Sequence, residues 1–366
     1  MLKLDRSRLE NSRNERRSQS SKLPPINRKK PSITHIGKVS PNNILEQQDY
    51  FFKNNCAVNP IFSYPQGSSQ SEYINKFKVS SKYLAHAIKI LDNCLMEFKS
   101  ETNYFETDGG RLLNEKETVD CFEKYMNEHG LNNMMSVVFS SEAIAPTTIN
   151  YYPKTHKCVA TVSLPIFYRE NRISGVLHHE IGTHLIRSLN DRKQIWANKR
   201  KKYGLRSFVE TEEGLATIHT NIESAFNQNR KPYLWSAALH YYASYQASIL
   251  SFSDLYADLS KYIDDPNKRF KETLRVKRGM TDTSKPGGCY KDQVYLSGAI
   301  KILQSRWRID FKELCSGKIA LEDYFREDIR KSLKFSDLIY PDFMKDMELY
   351  RRALDNIAKT NGIDLD

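Results

Sequence analysis

Two histidines and a glutamate stand close together near the middle of the chain, in the hexapeptide His179-Glu180-Ile181-Gly182-Thr183-His184. Neutral imidazoles are good zinc ligands, and a carboxylate beside the first of them can hold and deprotonate an activated water. The pattern is one residue longer than the His-Glu-x-x-His pattern of many zinc peptidases. It therefore indicates metal chemistry, provided that the helix can bring both imidazoles to one side.

The longer spacing sets a geometric demand. Residues that far apart on a regular α-helix diverge by about 140°, because each residue turns the helix by about 100°. One turn of π-helix would return both histidines to one face, and such turns are frequent at functional sites. Gly182 makes this distortion easier, so we predict a widened helix there. His178 points about a third of a turn away from His179, and we expect it to pack or to support the site without binding the metal.

A catalytic zinc site needs a third protein ligand and keeps its fourth position for water. Glu213 follows His184 by 29 residues (213 − 184) and precedes Gly214. In gluzincin aminopeptidases the glutamate ligand, on a second helix, also directly precedes a glycine, so we favour Glu213. Glu212 is the alternative, because a shift of one residue turns the side chain by about 100°.

Two other classes of zinc site do not fit the sequence. A metzincin would have glycine at position 187 and histidine at position 190, where this chain has Arg187 and Asn190. A zinc deaminase would have a Cys-x-x-Cys motif, which this chain lacks.

The composition describes a soluble globular protein with a basic arm. There is no run of 18 apolar residues and no signal-peptide pattern at Met1. The six scattered cysteines indicate reduced thiols in an intracellular protein. Residues 1–40 carry 11 Lys or Arg against three acidic residues, a charge of +8 (11 − 3) out of the net +12. We expect this segment to be disordered and to favour a polyanion.

Around the motif, the sequence predicts an α+β fold in which helices dominate. Strands are expected at 136–139, 147–152 and 158–164, shortly before the motif helix, which is the usual zincin arrangement. One of these strands could form the edge along which an extended peptide binds. We predict a basic arm over residues 1–70, with a polar link at 66–70, and one catalytic domain over residues 71–366. The predicted helices of this domain span residues 80–100, 114–130, 233–262, 293–307, 319–331 and 342–360.

Four ordered motifs give the chain from about residue 80 onward a resemblance to the microtubule-associated tyrosine carboxypeptidases, or tubulin metallocarboxypeptidases. They are residues 177–185 with the longer His spacing, 190–194, 211–216 and 286–296. The resemblance implies a zincin-like catalytic domain, one zinc ion, and removal of C-terminal residues, notably tyrosine, from tubulin tails. It implies microtubules as partner and the cytoplasmic or ciliary cytoskeleton as location. It covers no part of the basic arm.

The residues themselves suggest how such a reaction would run. Glu180 would take the proton of the attacking water and pass it to the leaving amine. Tyr295 would steady the oxyanion, with His219 as the alternative. A carboxypeptidase must also bind a free α-carboxylate, and the basic residues of the 275–291 segment are the candidates for this role. They are Arg275, Lys277, Arg278 and Lys291.

Two rival functions stay open at this stage. A general intracellular zinc endopeptidase would cleave within peptides whose C-termini are blocked. A structural protein that decorates filaments would keep the site without using it. A nucleic-acid partner would fit the arm alone and leave the metal site unexplained, and no membrane partner is expected. We expect the protein to act as a monomer on the microtubule lattice, tethered to the acidic surface by its arm.

Overall fold

A computed structural model of the chain describes residues 41–65, 74, 76–141, 146–152 and 154–365. The basic segment 1–40 and the predicted polar link at 66–70 lie outside these residues.

The chain between residues 41 and 65 differs from the prediction of an arm that continues to residue 70. Helix α1, Ile44–Lys53, carries Phe51 on its buried face. Phe51 and Phe62 are both fully buried, and the ring centroid of Phe51 lies 5.3 Å from that of Phe252. The boundary at residue 70 is therefore wrong for residues 41–65, because aromatic side chains anchor this segment to a distant part of the chain.

In the described residues, three further helices lie between α1 and the sheet: α2 Leu84–Phe98, α3 Glu101–Gly109 and α4 Glu115–Glu128. The predicted helices at 80–100 and 114–130 are confirmed with shorter ends. Helix α4 starts at a capping box, in which Asn114 and Glu117 each accept a hydrogen bond from the other's backbone N–H. Gly130 follows this helix with a φ of 67°, a value that favours glycine.

The sheet has three strands: β1 Met135–Ser140, β2 Thr147–Tyr152 and β3 Lys157–Ser163. Strand β3 lies in the centre, parallel to β1 and antiparallel to β2. Its alternate residues Cys158, Ala160 and Val162 are buried in a cluster that includes Ile181 of the motif helix. The three predicted strands are confirmed, and within the described residues β2 forms one edge of the sheet.

The motif helix runs in three continuous parts: α5 Ile173–Leu177, a π-helix His178–Leu185, and α6 Ile186–Asp191. The predicted widening is therefore confirmed. Gly182 is required here by a close approach: a Cβ at this position would lie 2.6 Å from the hydroxyl of Tyr125. The small residue lets the widened turn sit directly on helix α4.

The rest of the chain is mostly helical, as expected, so the described part is α+β with one small sheet. The helices are α7 Val209–Thr220, α8 Ile222–Phe226, α9 Trp235–Ala247, α10 Phe252–Asp258, α11 Pro266–Lys277, α12 Gln293–Gln304, α13 Phe311–Cys315, α14 Leu321–Tyr324, α15 Glu327–Lys331 and α16 Met347–Thr360. Short 3-10 turns lie at Arg200–Tyr203, Leu259–Lys261, Tyr290–Asp292 and Asp342–Met344. In the described ranges, no helix has the length and apolar character needed to cross a membrane.

The single long helix predicted over 233–262 is wrong. Helix α9 ends at Ala247, and α10 begins after Ser251, whose side chain accepts a hydrogen bond from the N–H of Asp254. The buried ammonium of Lys277 binds the carbonyl oxygens of Ala247 and Leu250 in this break. A capping serine and a distant lysine thus end a helix that apolar composition alone would continue. The helix predicted over 319–331 is likewise divided, into α14 and α15.

Helices α7 and α12 touch through their backbones. A Cβ on Gly298 would overlap the carbonyl oxygen of Glu210, and a Cβ on Gly214 would overlap the backbone of Gly298. This contact fixes the helix that carries Glu213 against the helix that carries Tyr295.

Candidate metal centre and active site

The π-helix brings the two histidines of the motif together. The ring centroids of His179 and His184 lie 4.9 Å apart. Together with Glu213 from α7, they form a group whose potential ligand atoms all lie within 4.8 Å of one another. The extra residue of the motif is thus absorbed by the wider turn, and the three side chains converge on one point.

Each histidine is oriented by a hydrogen bond on its Nδ1 atom. His179 Nδ1 lies 2.9 Å from the hydroxyl of Thr220, which itself donates to the carbonyl of Ala216 and so accepts from the histidine. His184 Nδ1 lies 2.9 Å from a carboxylate oxygen of Glu212. These contacts leave the Nε2 atoms to act as ligands, and partners of this kind commonly fix metal-binding histidines.

The two adjacent glutamates have different surroundings. Glu212 is buried and contacts Arg187, which is also buried. Its carboxylate also lies 3.1 Å from the ammonium of Lys318. Burial opposes its charge, but Arg187 and Lys318 outweigh this and hold the pKa of Glu212 well below its usual range. Glu212 thus orients His184 while Glu213 faces the converging imidazoles, an arrangement that favours Glu213 as the third ligand.

The chemistry of this group suits a cation. Among the described residues, Glu213 Oε2 is a buried oxygen without a hydrogen-bond partner, 3.4 Å from His184 Nε2. Burial disfavours a protonated His184, but Glu212 and Glu213 outweigh it and raise the pKa of His184 to about 10. Burial lowers the pKa of His179 to about 3. The centre therefore holds a neutral imidazole and favours positive charge where a metal ion would bind, so the residues fit zinc.

Glu180 lines the same cleft as His184 and Glu213. Burial raises the pKa of Glu180 to about 7, although the charge of His184 opposes the shift. A carboxyl group with this pKa can both accept and release a proton near neutral pH.

The two residues predicted as oxyanion donors lie in different places. The ring of Tyr295 stacks near that of His179, with centroids 6.4 Å apart. Burial and the charge of Glu213 raise the pKa of Tyr295 well above its usual value, which keeps its hydroxyl protonated. His219 is fully buried and spans Thr183 and Tyr350, at 2.7 Å and 2.8 Å. These contacts favour Tyr295 over His219 as the donor of a hydrogen bond to the oxyanion.

His178 lies outside the group of ligands, as predicted. Its Nδ1 atom is 2.8 Å from the Tyr125 hydroxyl, and its Nε2 atom is 3.0 Å from the carboxylate of Glu223. With both ring nitrogens occupied, His178 supports the π-helix from its opposite side.

The predicted carboxylate-binding residues have different surroundings. Arg275 Nε donates to Asp292 at 2.8 Å, and Arg278 Nη2 donates to the same carboxylate at 3.1 Å. Lys277 is fully buried, and its ammonium binds the carbonyls of Ala247, Leu250 and Lys285. Burial also lowers the pKa of Lys277 to about 8. These contacts argue against Lys277 as a substrate-binding residue and give both arginines a structural partner.

The charge of Lys291 reaches Glu213 of the candidate metal site. Burial opposes the charge of Glu213, but His184, His179 and Lys291 outweigh it and lower the pKa of Glu213. The structure therefore brings Lys291, Tyr295 and Glu213 into one electrostatic environment.

A cleft of about 450 Å³ opens over Glu180, His184 and Glu213. Ile149 and Tyr151 of β2 line it, together with Arg192, Phe208 and Lys318. Neither Arg192 nor Lys318 was among the predicted site residues. The motif at 190–194 was a signal for Arg192, whereas Lys318 lies in no motif that was recognised.

Two imidazoles and a carboxylate that converge beside a half-buried glutamate at a cleft are the type of site used by metal-dependent hydrolases. The family model described as microtubule-associated tyrosine carboxypeptidase matches residues 75–357. The chain therefore belongs to the microtubule-associated tyrosine carboxypeptidase family.

Curated relatives agree with this membership. Microtubule-associated tyrosine carboxypeptidase 1 of Mus musculus is 34% identical over 328 residues, which cover 88% of this chain and 68% of the relative. The Homo sapiens protein of that name is 32% identical over 357 residues, which cover 94% of this chain and 74% of the relative. Putative tyrosine carboxypeptidase MATCAP2 of Mus musculus is 33% identical over 331 residues, which cover 89% of this chain and 61% of the relative.

Proposed function

We propose that this protein is a zinc-dependent metallocarboxypeptidase with a zincin-like domain, which removes the C-terminal tyrosine from tubulin tails on microtubules. The observation that carries the proposal is the convergence of His179, His184 and Glu213, with Glu180 on the same cleft. Family membership and the names of the relatives support the reaction and the substrate.

His179, His184 and Glu213 would hold the zinc ion, with Thr220 and Glu212 orienting the two imidazoles. When bound, zinc supplies Lewis-acid activation of a water molecule and of the scissile carbonyl. Glu180 takes the proton from the attacking water and delivers it to the leaving amine, for which a pKa of about 7 is well suited. Tyr295, held protonated beside His179, donates a hydrogen bond to the developing oxyanion.

Lys291 is the strongest candidate within the 275–291 segment for binding the free α-carboxylate. Its charge acts on Glu213, whereas Arg275 and Arg278 are paired with Asp292 and Lys277 is occupied by carbonyl oxygens. Of the four predicted basic residues, we therefore favour Lys291 for direct binding of the carboxylate.

The proposed setting is the cytoplasmic or ciliary cytoskeleton, where the protein acts as a monomer on the microtubule lattice. The +8 charge of residues 1–40 supports a tether to the acidic microtubule surface. Removing the arm should weaken co-sedimentation with microtubules and flatten its salt dependence, while cleavage of a short tail peptide is unchanged. An armless protein that sediments as well as the full chain across a salt series would refute the tether.

Mass spectrometry of tubulin tails, combined with zinc analysis of the protein, tests the function directly. Glu180→Gln should retain zinc and lose about 10²–10⁴-fold in turnover. Glu213→Gln should lose stoichiometric zinc. Glu212→Gln should keep the three ligands and bind zinc about 10–100-fold more weakly in a chelator competition. Folded wild-type protein without stoichiometric zinc would refute the metal site, and intact tails after incubation would refute the reaction.

Blocked peptides separate the proposed exopeptidase from a general endopeptidase. Amidation removes the charge of the α-carboxylate, so an amidated tail peptide should be cleaved much more slowly than the free acid. Equal rates for the two peptides would favour internal cleavage instead.

A further inference from the structure

Arg192 directly follows the motif helix and lines the cleft over the metal centre. It is exposed, and its guanidinium carbon lies 4.6 Å from the ring centroid of Tyr151 on strand β2. Across the described ranges, Arg192 has no carboxylate within ion-pair distance. Its charge is therefore available to a group that enters the cleft.

Lys318, the other basic residue of this wall, differs in this respect. Its ammonium lies 3.1 Å from Glu212 and 5.6 Å from the ring centroid of Phe208. Its charge already stabilises a buried carboxylate of the metal centre. Arg192 and Lys318 are the arginine and lysine side chains that line the cleft. Of these two, Arg192 can bind an anionic ligand without losing an acidic partner.

The side chains of the two residues before Arg192 are anchored to other parts of the chain. Asn190 binds the carbonyls of Cys315 and Ile339, at 3.1 Å and 2.8 Å. The carboxylate of Asp191 accepts hydrogen bonds from the indole of Trp196 and the backbone N–H of Lys318, both at 2.8 Å. The guanidinium thus projects from a fixed frame, and this arrangement reduces the entropic cost of binding.

The guanidinium lies over the ring of Tyr151, and among the described residues no hydrogen bond occupies its N–H donors. These donors match the two oxygens of a carboxylate. Tyr151 also belongs to the edge strand β2, where an extended peptide could pair through its backbone. We propose that Arg192 is a specificity-determining residue that binds a carboxylate of the peptide substrate. The inference rests on the proposed peptidase function.

The carboxylate has two sources in a peptide, the C-terminal α-carboxylate and an acidic side chain beside the scissile bond. Four peptides separate them: one that ends in Glu-Glu-Tyr, its C-terminal amide, its Gln-Gln counterpart, and the amide of that counterpart. The value of kcat/KM for each peptide would be measured by mass spectrometry with wild type, Arg192→Gln and Arg192→Lys. Lys199→Gln is the matched control, because it removes one exposed positive charge that does not line the cleft.

Wild type should prefer the charged member of at least one pair by about 10–100-fold, the range expected for a hydrogen-bonded charged partner. Arg192→Gln should bring that preference close to one, and Arg192→Lys should restore only part of it, because lysine cannot bind in a bidentate manner. Lys199→Gln should keep the wild-type preference. The pair that responds identifies the source, and unchanged preferences in Arg192→Gln would overturn the inference.

Binding measurements separate this inference from the proposed function. Fluorescence anisotropy with the same labelled peptides would compare Glu180→Gln with the double variant Glu180→Gln/Arg192→Gln. A weaker affinity of the double variant for the charged peptides supports the role of Arg192 even if wild type cleaves none of them. Equal affinities refute it even if wild type cleaves them all.

Discussion

Two basic regions lie near the candidate metal site, and they use their charge differently. In the 275–291 segment, Arg275 and Arg278 share the buried carboxylate of Asp292. Arg192, in the other region, stacks on Tyr151 and faces the cleft without an acidic partner among the described residues. The density of positive charge in a sequence therefore says little about which residues bind a ligand. Pairing in the fold decides which charges stabilise the protein and which can meet a ligand.

The largest effect on stability is expected for Asp292→Asn. Burial opposes the charge of Asp292, but Arg275 and Arg278 outweigh it and hold its pKa far below the usual range. Removing the anion would leave two guanidiniums without their partner and lower the free energy of unfolding by ~3–5 kcal/mol. Urea denaturation measures this change. A loss below about 1 kcal/mol would mean that the first region is not held by its ion pairs.

A pH-dependent effect is expected at Glu272, which precedes the 275–291 segment on helix α11 and lies 3.1 Å from His240. Burial opposes its charge, but His240, Arg275 and Lys268 outweigh it and lower its pKa from 4.5 to about 2. A carboxyl pKa that is depressed in the folded state stabilises the protein above pH 4.5, and this stability is lost as the pH falls toward 2.

Glu272→Gln should therefore lower the free energy of unfolding by up to ~3 kcal/mol at neutral pH. The gap between variant and wild type should narrow as the pH falls below 4.5. Urea denaturation at a series of pH values checks this expectation. A gap that stays constant from neutral to acidic pH would show that the ionised carboxylate does not stabilise this region.

A smaller loss is expected for Lys277→Met. The substitution removes the donor to three backbone carbonyls and should cost ~1–3 kcal/mol, with little change in KM. Lys285→Met, at an exposed position of the same segment, should change stability by no more than about 0.5 kcal/mol. A raised KM with unchanged stability for Lys277→Met would restore Lys277 as a substrate-binding residue. The charge of the 275–291 segment would then not be purely structural.

A smaller loss of stability than for Lys277→Met is expected for Arg192→Gln. An exposed cation–π contact contributes about 0.5–1 kcal/mol, so the variant should melt close to wild type while its substrate preference changes. Thermal denaturation of Arg192→Gln, compared with that of Lys199→Gln, tests this expectation. A loss of several kcal/mol would make Arg192 structural as well, and the difference between the two regions would disappear.

Local sequence was a good guide where the deciding interaction is local. The spacing of His179 and His184 predicted the π-helix because helical rotation allows few ways to bring them to one face. The β2 strand was predicted with its observed bounds. Asn114 and Glu117 ended up in a capping box at the start of the predicted second helix.

Long-range contacts overturned two of the predicted boundaries. The boundary at residue 70 missed the aromatic contacts that join α1 to α10, and the long helix at 233–262 missed the capping of a break by Lys277. No local pattern identifies such partners, because they lie far apart in sequence and meet only when the chain packs.

By itself, the sequence determined the motif with its two histidines and Glu180, the helix that must widen to use it, and the family to which the chain belongs. Only the tertiary structure gave Glu212 and Glu213 their different positions, bound Arg275 and Arg278 to Asp292, and left Arg192 open to the cleft. The physical reason is that helical geometry acts between near neighbours, whereas burial and charge pairing depend on which distant side chains are brought together.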